Sequence, residues 1–286
     1  MKTIRSRGRC STLKSHHEQS SAAVPPVLLV EDNRINQMVA IQLLKRAGLV
    51  ADTANNAEEA LHRLSTHEYR LVLMDVQMPG MTGIEATQII RNPDSSVRDH
   101  TVPIIAMTAF SSEQDRKDCL SAGMNEFLTK PLEIDRFVDV VQRFLSVAPS
   151  NPVGDLSPSV SAEAHAGTLP SAAEDAHGAL PVIDHGDLLL RSGSDPSVAS
   201  DLLRRFFERL HNAGEPIAAA ITTGDLDALV LHTHGLCGAA GNIGAQRLYR
   251  VLKQMHAFAR DGDLAAASRL LPNLEAEISA VRTVLR

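Results

Sequence analysis

Apolar residues between positions 27 and 146 follow two periods. After Asn33, a residue suited to cap a helix N-terminus, apolar side chains recur at helical spacing, which predicts a helix. Gly48 is placed to end this helix. Similar helical patterns alternate with short apolar runs typical of buried strands, at 27–30, 50–54 (the weakest), 71–74, 104–107 and 127–129. Five strands alternating with five helices predict an α/β domain built on a doubly wound five-stranded parallel sheet.

The region 181–286 has no strand pattern. Its apolar residues form helical stripes at 202–210, 248–255 and 271–285. Short turns at Gly224-Asp225 and Gly262-Asp263 separate these segments. The pattern predicts a second, all-α domain in which antiparallel helices form a bundle.

Composition divides the chain into four parts. Residues 1–25 are basic and polar, which predicts a disordered tail, and residues 26–146 form the α/β domain. Residues 147–180 are dominated by Ala, Pro, Ser and Gly, as in a flexible linker, and residues 181–286 form the helical domain.

The overall composition narrows the possible functions. The net charge is −6, aromatic residues make up 3% and Trp is absent, so neither a basic patch nor a stacking surface supports nucleic-acid binding. No apolar run has the length of a membrane span, and membrane insertion is not expected. Cys10, Cys119 and Cys237 are odd in number and far apart, which favours a reducing compartment, and we expect the protein in the cytoplasm.

Chemically useful side chains stand at the ends of the predicted strands. Glu31 and Asp32 end the first strand, Asp75 the third, Thr108 the fourth and Lys130 the fifth. Ligands of open α/β sheets bind beyond these strand ends. Three converging carboxylates need a cation, and Mg²⁺ suits them because it prefers oxygen ligands and leaves places for phosphate. A lysine and a hydroxyl donor suit the oxygens of a phosphoryl group, so Asp75 is a candidate nucleophile.

These motifs resemble the receiver domain of bacterial response regulators and hybrid histidine kinases. The matching segments, in order, are VLLVEDN at 27–33, MDVQMPGMTG at 74–83, IIAMTA at 104–109 and FLTKP at 127–131. The resemblance implies a flavodoxin-like fold with Asp75 as the phosphoacceptor. It also implies a cis peptide between Lys130 and Pro131, and Phe127 as the aromatic residue that switches conformation.

The same resemblance implies a magnesium site. Asp32, Asp75 and the backbone carbonyl of Gln77 would bind Mg²⁺ directly, and Glu31 would contribute through water. Thr108 and Lys130 would contact the phosphoryl oxygens. An alternative is a metal-dependent phosphatase with an Asp nucleophile, but such enzymes usually need a second Asp at the position of Gln77.

One predicted helix of the second domain is rich in glycine. At 3.6 residues per turn, His234, Gly238 and Gly241 fall on one face, although each glycine costs about 1 kcal/mol in a helix interior. An imidazole on an open face can accept a phosphoryl group from another protein. A structural or merely exposed histidine is one alternative. Zinc binding by His232, His234 and Cys237 is another, disfavoured because His232 and His234 point roughly 200° apart.

The segment from His234 to Gly244 resembles the signature of histidine phosphotransfer (HPt) domains. That resemblance implies a four-helix bundle in which His234 is phosphorylated and Gly238 leaves space beside it, with His232 as a backup candidate. Cys237 stands where the family usually has Lys, so a positive charge near the phosphoryl group is missing. We expect weaker electrostatic stabilisation of phosphorylated His234.

Together these features predict a two-component phosphorelay protein in which a phosphoryl group passes between Asp75 and His234, in cis or in trans. Its partners would be a sensor histidine kinase and a downstream response regulator. No kinase motif is present, and the chain is predicted to be a phosphotransfer intermediate, with receiver autodephosphorylation as its only enzymatic activity. The oligomeric state stays open, a monomer included. The alternative is a regulator whose helical domain only binds other proteins.

Overall fold

The computed structural model describes residues 27–109, 113–146 and 180–285. The predicted basic tail lies outside these residues, as does the predicted linker apart from its last position. The placement of the four-part division along the chain therefore stays a prediction.

The first domain is a five-stranded parallel sheet, as predicted. The strands are β1 (Val27–Val30), β2 (Ala51–Ala54), β3 (Leu71–Asp75), β4 (Ile104–Thr108) and β5 (Glu126–Thr129), in the spatial order β2-β1-β3-β4-β5. The helices are α1 (Arg34–Arg46), α2 (Ala57–Thr66), α3 (Gly83–Arg91), α4 (Glu113–Ser121) and α5 (Ile134–Ser146). This strand order is that of the flavodoxin-like fold. Successive strands are added on one side of β1 and then on the other, so the topological switch point lies between β1 and β3.

The three central strands are buried along their whole length, which explains why their sequences are continuous apolar runs. Parallel register sets Val30 beside Met74, and Asp75 beside Met107, so the polar residues that follow each strand meet at one edge. Asn33 caps α1 by accepting a hydrogen bond from the Ile35 amide, as predicted.

The second domain is entirely helical in its described residues. It contains α6 (His185–Arg191), α7 (Pro196–Leu210), α8 (Gly214–Thr223), α9 (Leu226–Asn242), α10 (Gln246–Arg260), α11 (Leu264–Arg269) and α12 (Leu271–Val284). Helix α9 packs against α8 and α10, and α12 packs against the same two, which gives a four-helix bundle. The predicted turns are present: Gly224 and Gly262 have positive φ, and Asp225 and Asp263 cap α9 and α11.

The two domains are in contact. Helix α1 of the first domain packs against α6, α7 and α9 of the second, and one apolar core runs through both. Within the described ranges, no helix combines the length and the apolar character needed to cross a membrane.

Candidate functional site

The strand-end residues predicted to act together do meet at one edge of the sheet. The Lys130 ammonium lies 2.6 Å from Glu31 Oε2 and 2.6 Å from Asp75 Oδ2. All three side chains are almost completely buried, whereas Asp32 beside them is exposed. One lysine therefore pairs with two buried carboxylates, and the third carboxylate, that of Asp32, is exposed.

The cluster holds more negative than positive charge, and the pKa values reflect this. Burial and the charge of Asp75 raise the pKa of Glu31 to about 8, although Lys130 opposes them. Burial also acts to raise the pKa of Asp75, but Lys130 and His234 outweigh it and that pKa falls to about 2. Burial and Asp75 likewise raise the pKa of Asp32. Asp75 is thus held as a carboxylate, the form that can act as a nucleophile.

The shortage of positive charge fits a divalent cation. Glu31, Asp32 and Asp75 each offer a carboxylate oxygen, and these oxygens lie within 4.8 Å of one another. Among the described residues no other set of three acidic, histidine or cysteine side chains is arranged in this way, so the zinc alternative at His232, His234 and Cys237 finds no support. The amide of Gln77 donates to Asp75 Oδ1 at 3.2 Å, which places the Gln77 backbone next to the same oxygens.

Three further predicted features belong to this edge. Thr108 is buried at the end of β4, and its carbonyl accepts a hydrogen bond from the Lys130 amide. The peptide between Lys130 and Pro131 is cis, as expected. Phe127 is only half-buried, and the guanidinium groups of Arg116 and Arg136 lie 5.6 and 5.4 Å from its ring centre.

His234 lies opposite Asp75. Its Nε2 is 3.7 Å from Asp75 Oδ1, and only 4% of the residue remains exposed. His232 is exposed, and His234 is the histidine that meets the carboxylate cluster. Cys237 is fully buried, with its thiol 4.0 Å from the Tyr249 carbonyl, and burial raises the pKa of that thiol to about 12.

The glycine face of α9 is covered by the first domain. A Cβ at Gly238 would lie 2.9 Å from the side-chain amide of Asn36 on α1. A Cβ at Gly241 would lie 3.2 Å from three atoms of the Pro131 ring. The missing side chains therefore let α9 approach α1 and the loop after β5 closely, which brings His234 to Asp75.

Polar contacts between the domains surround this approach. Asn33 donates to the Gly235 carbonyl at 2.7 Å, and Asn242 donates to Asn36 Oδ1 at 3.0 Å. Further out are a hydrogen bond from Arg191 to the Leu132 carbonyl at 2.6 Å and an ion pair between Arg260 and Asp115 at 2.6 Å. From the sequence, Asn33 was predicted only to cap α1, and none of these contacts between the domains was predicted, since the partners lie far apart along the chain.

A cavity of about 300 Å³ opens beside His234. Its lining includes Asp32 and Gln77 from the first domain and Arg209, His232 and His234 from the second. Partial burial lowers the pKa of Arg209, and the charges of Asp32 and Glu31 oppose that shift, so this guanidinium faces the carboxylate cluster. Arg209 was also missed, because it belongs to α7, remote from the glycine-rich segment.

Comparison with known proteins agrees with both predicted domains. A family model for the response regulator receiver domain matches residues 27–142, and a model for the Hpt domain matches residues 201–284. The chain therefore contains a receiver domain followed by an Hpt domain, the second written HPt here.

Several relatives are hybrid kinases. Sensor protein GacS of Pseudomonas syringae pv. syringae is 30% identical over 80% of this chain and 24% of its own length. Aerobic respiration control sensor protein ArcB of Escherichia coli (strain K12) is 27% identical over 80% of this chain and 27% of its own. The chain thus spans about a quarter of the length of these curated relatives. One similar solved structure is the receiver domain of a sensor histidine kinase from Pseudomonas aeruginosa PAO1, which has a magnesium ion in its active-site cleft. It is 34% identical over 44% of this chain and all of its own length, with a TM-score of 0.40.

Proposed function

We propose that this protein is a phosphorelay intermediate in which Asp75 and His234 exchange a phosphoryl group. The observation that carries the proposal is the 3.7 Å distance between Asp75 Oδ1 and His234 Nε2, at a cluster of carboxylates and a lysine. The alternative, a helical domain that only binds other proteins, gives no reason for a histidine to face the most acidic site of the receiver domain.

In the proposed transfer, the lone pair of His234 Nε2 forms a bond to phosphorus while the bond between phosphorus and Asp75 Oδ1 breaks. The electron pair of the broken bond returns to Oδ1 as a carboxylate, and the imidazole keeps its proton on Nδ1. Reacting atoms in such a conformer lie about 3–3.5 Å apart, and the phosphorus–oxygen bond adds to that. The phosphorylated pair therefore needs more than 3.7 Å, and the domains must separate slightly to admit the group.

The residues around Asp75 have different roles in the proposed transfer. Lys130, already bonded to Asp75 Oδ2, stabilises charge on the phosphoryl oxygens, and Thr108 supplies a hydroxyl donor. Mg²⁺ bound by Asp32, Asp75 and the Gln77 carbonyl, with Glu31 through water, would supply further charge neutralisation. Phe127, at the edge of this domain, is the proposed switch residue, and Gly238 and Cys237 belong to the face of α9 around His234.

The proposed partners are a sensor histidine kinase that loads Asp75 and a response regulator that unloads His234. The chain itself transfers the group and is not a kinase. Receiver autodephosphorylation is the one hydrolytic activity we expect. Two buried free thiols, Cys119 and Cys237, are consistent with a reducing, cytoplasmic setting for the relay.

The contact between the domains favours transfer within one chain. His234 reaches Asp75 while hydrogen bonds from Asn33 and Asn242 join the two domains around it. A flexible linker over the predicted range 147–180 would have an end-to-end distance of about 30 Å, enough to permit this contact.

Phosphorylation of the whole chain by labelled acetyl phosphate with Mg²⁺ tests the proposal. Phosphohistidine is acid-labile and alkali-stable, whereas the acyl phosphate on Asp75 is alkali-labile. The wild type should carry both. His234→Gln should keep only the acyl phosphate, and Asp75→Asn should carry neither, because Asp75 is the point of entry. Absence of alkali-stable label from the wild type would contradict the relay.

A mixture of the two single variants tests transfer in cis. Each chain then holds one acceptor, and His234 of the Asp75→Asn chain can be labelled only by a second chain. We expect wild-type transfer to be independent of protein concentration and the mixture to label His234 slowly, at a rate that rises with concentration. Equal rates in the mixture and the wild type would show that transfer occurs in trans.

A further inference from the structure

Arg209 lies beside the reacting pair although nothing in the sequence connects it to His234. A Cβ at Gly235, the residue after His234, would lie 2.8 Å from Arg209 Nη2. The guanidinium therefore rests against the backbone next to His234. Arg209, His234, Asp32 and Gln77 line the same cavity.

The guanidinium is available to a new partner. Within the described part of the chain, no ion pair or side-chain hydrogen bond holds Arg209, and Asp32 and Glu31 act on it only as nearby charges. Other arginines of the helical domain are engaged elsewhere: Arg204 with Asp201 and Glu208, Arg247 with Glu277, and Arg260 with Asp115. Arg209 also keeps a solvent-exposed surface and already lines the cavity, so its guanidinium can reach a group bound there.

The charges around the transfer site are unequally distributed. Lys130 contacts Asp75 Oδ2 within the receiver domain and is not among the residues that line the cavity, whereas Arg209 is. On the HPt side Cys237 carries a neutral buried thiol that faces the Tyr249 carbonyl. A phosphoryl group between Asp75 and His234 spreads its negative charge over three equatorial oxygens. Among the described residues that line the cavity, Arg209 is the one lysine or arginine, so it is the side-chain cation that oxygens turned toward the cavity would face.

We infer that Arg209 is the phosphoryl-contacting cation of the HPt domain, supplied from α7 in place of the lysine that Cys237 replaces. A guanidinium binds phosphoryl oxygens through two parallel N–H donors, which a lysine cannot do. During transfer it would stabilise the charge of the passing group, and afterwards that of phosphorylated His234. The inference rests on the proposed function and names a residue that the relay chemistry would otherwise lack.

Measurement of the transfer rate in the whole chain tests the role of Arg209. The chain is loaded with labelled acetyl phosphate and Mg²⁺, the donor is removed, and the acyl phosphate and phosphohistidine are followed over time. A hydrogen bond to a charged group is worth enough that Arg209→Gln should slow transfer about 10- to 100-fold. Arg209→Lys should recover part of the rate, since it keeps the charge and loses the paired donors.

Two controls separate the role of Arg209 from general effects. Arg204→Gln, on the exposed side of the same helix, should transfer at the wild-type rate. Loading of Asp75, measured in a His234→Gln background, should be unchanged by Arg209→Gln because the receiver chemistry does not need this residue.

Wild-type transfer in Arg209→Gln would overturn this inference and leave the proposed function standing. Equal losses in Asp75 loading and in transfer would also overturn it, because they would place Arg209 in the receiver chemistry. A wild-type chain that never labels His234 would refute the proposed function and the inference together.

Discussion

Asp75 and His234 sit in differently built surroundings. Asp75 lies among charges of its own domain, with Lys130 bonded to it and Glu31 and Asp32 beside it. His234 lies on a helix face made by the absence of side chains, at Gly238 and Gly241, and gains its position through contact with the other domain. The receiver half of the site therefore depends on electrostatics within one fold, whereas the HPt half depends on shape and on docking. Substitutions in the receiver half should therefore reduce stability, whereas substitutions in the HPt half should slow transfer.

Removal of Lys130 should have the largest effect and should act on stability. Lys130→Met leaves Glu31 and Asp75 buried without their counterion, and breaking a buried pair in this way costs about 3–5 kcal/mol. Urea unfolding in EDTA measures the loss, with exposed Lys45→Met as the control.

The loss from Lys130→Met should be smaller at low pH. Below its raised pKa, Glu31 can hold a proton instead of a counterion, so the carboxylate no longer needs Lys130. Mg²⁺ should also restore part of the stability. A change well under 1 kcal/mol in EDTA at high pH would contradict the electrostatic account of this half.

Alanine at Gly238 and Gly241, the glycines of α9 that contact the first domain, should affect helix stability and phosphoryl transfer in opposite directions. Gly238→Ala with Gly241→Ala should stabilise α9 by up to about 1 kcal/mol per site, since alanine favours helices. The added methyl groups meet Asn36 and Pro131, so transfer from Asp75 to His234 should slow. Gly214→Ala, where the nearest atom would lie 3.8 Å away, is the matched control. Faster or unchanged transfer in the double variant would contradict the docked geometry.

Asn33 has two roles, one in each half of the site, and two substitutions can separate these roles. Its Oδ1 caps α1 and its Nδ2 donates to the Gly235 carbonyl. Asn33→Ala should lose about 1 kcal/mol of stability with the cap. Asn33→Ser keeps a capping oxygen and loses the donor across the interface, so it should retain stability and slow the transfer. If the two variants behave alike, the contact to Gly235 contributes nothing to docking.

The ion pair between Asp115 and Arg260 should matter least. It lies at the rim of the interface with both side chains partly exposed, and pairs of this kind contribute about 0.2–1 kcal/mol. Asp115→Asn should change the transfer rate slightly at low salt and not at high salt, because screening already weakens the pair. A large, salt-independent loss would show that the rim also positions the domains.

Those parts of the fold that follow from repeating local sequence patterns were predictable. The five strands, the parallel sheet and the turns at Gly224 and Gly262 followed from apolar periodicity and turn residues. The helices α6, α8 and α11 were not identified as separate helices, because helices of six to ten residues leave few apolar repeats to recognise. The glycine-rich face of α9 indicated an approaching surface but could not identify it.

The sequence by itself determined which side chains share the sheet edge, because parallel strands bring Glu31, Asp32, Asp75, Thr108 and Lys130 to one edge in any doubly wound domain. It also determined that His234 lies on an open helical face. Only the tertiary structure decided that this face docks on α1 and that Asn33, Asn36 and Asn242 join the domains. It alone placed Arg209 beside His234. The physical reason is that these contacts join residues on separate elements, in two cases more than 200 positions apart, and no local period encodes such a pairing.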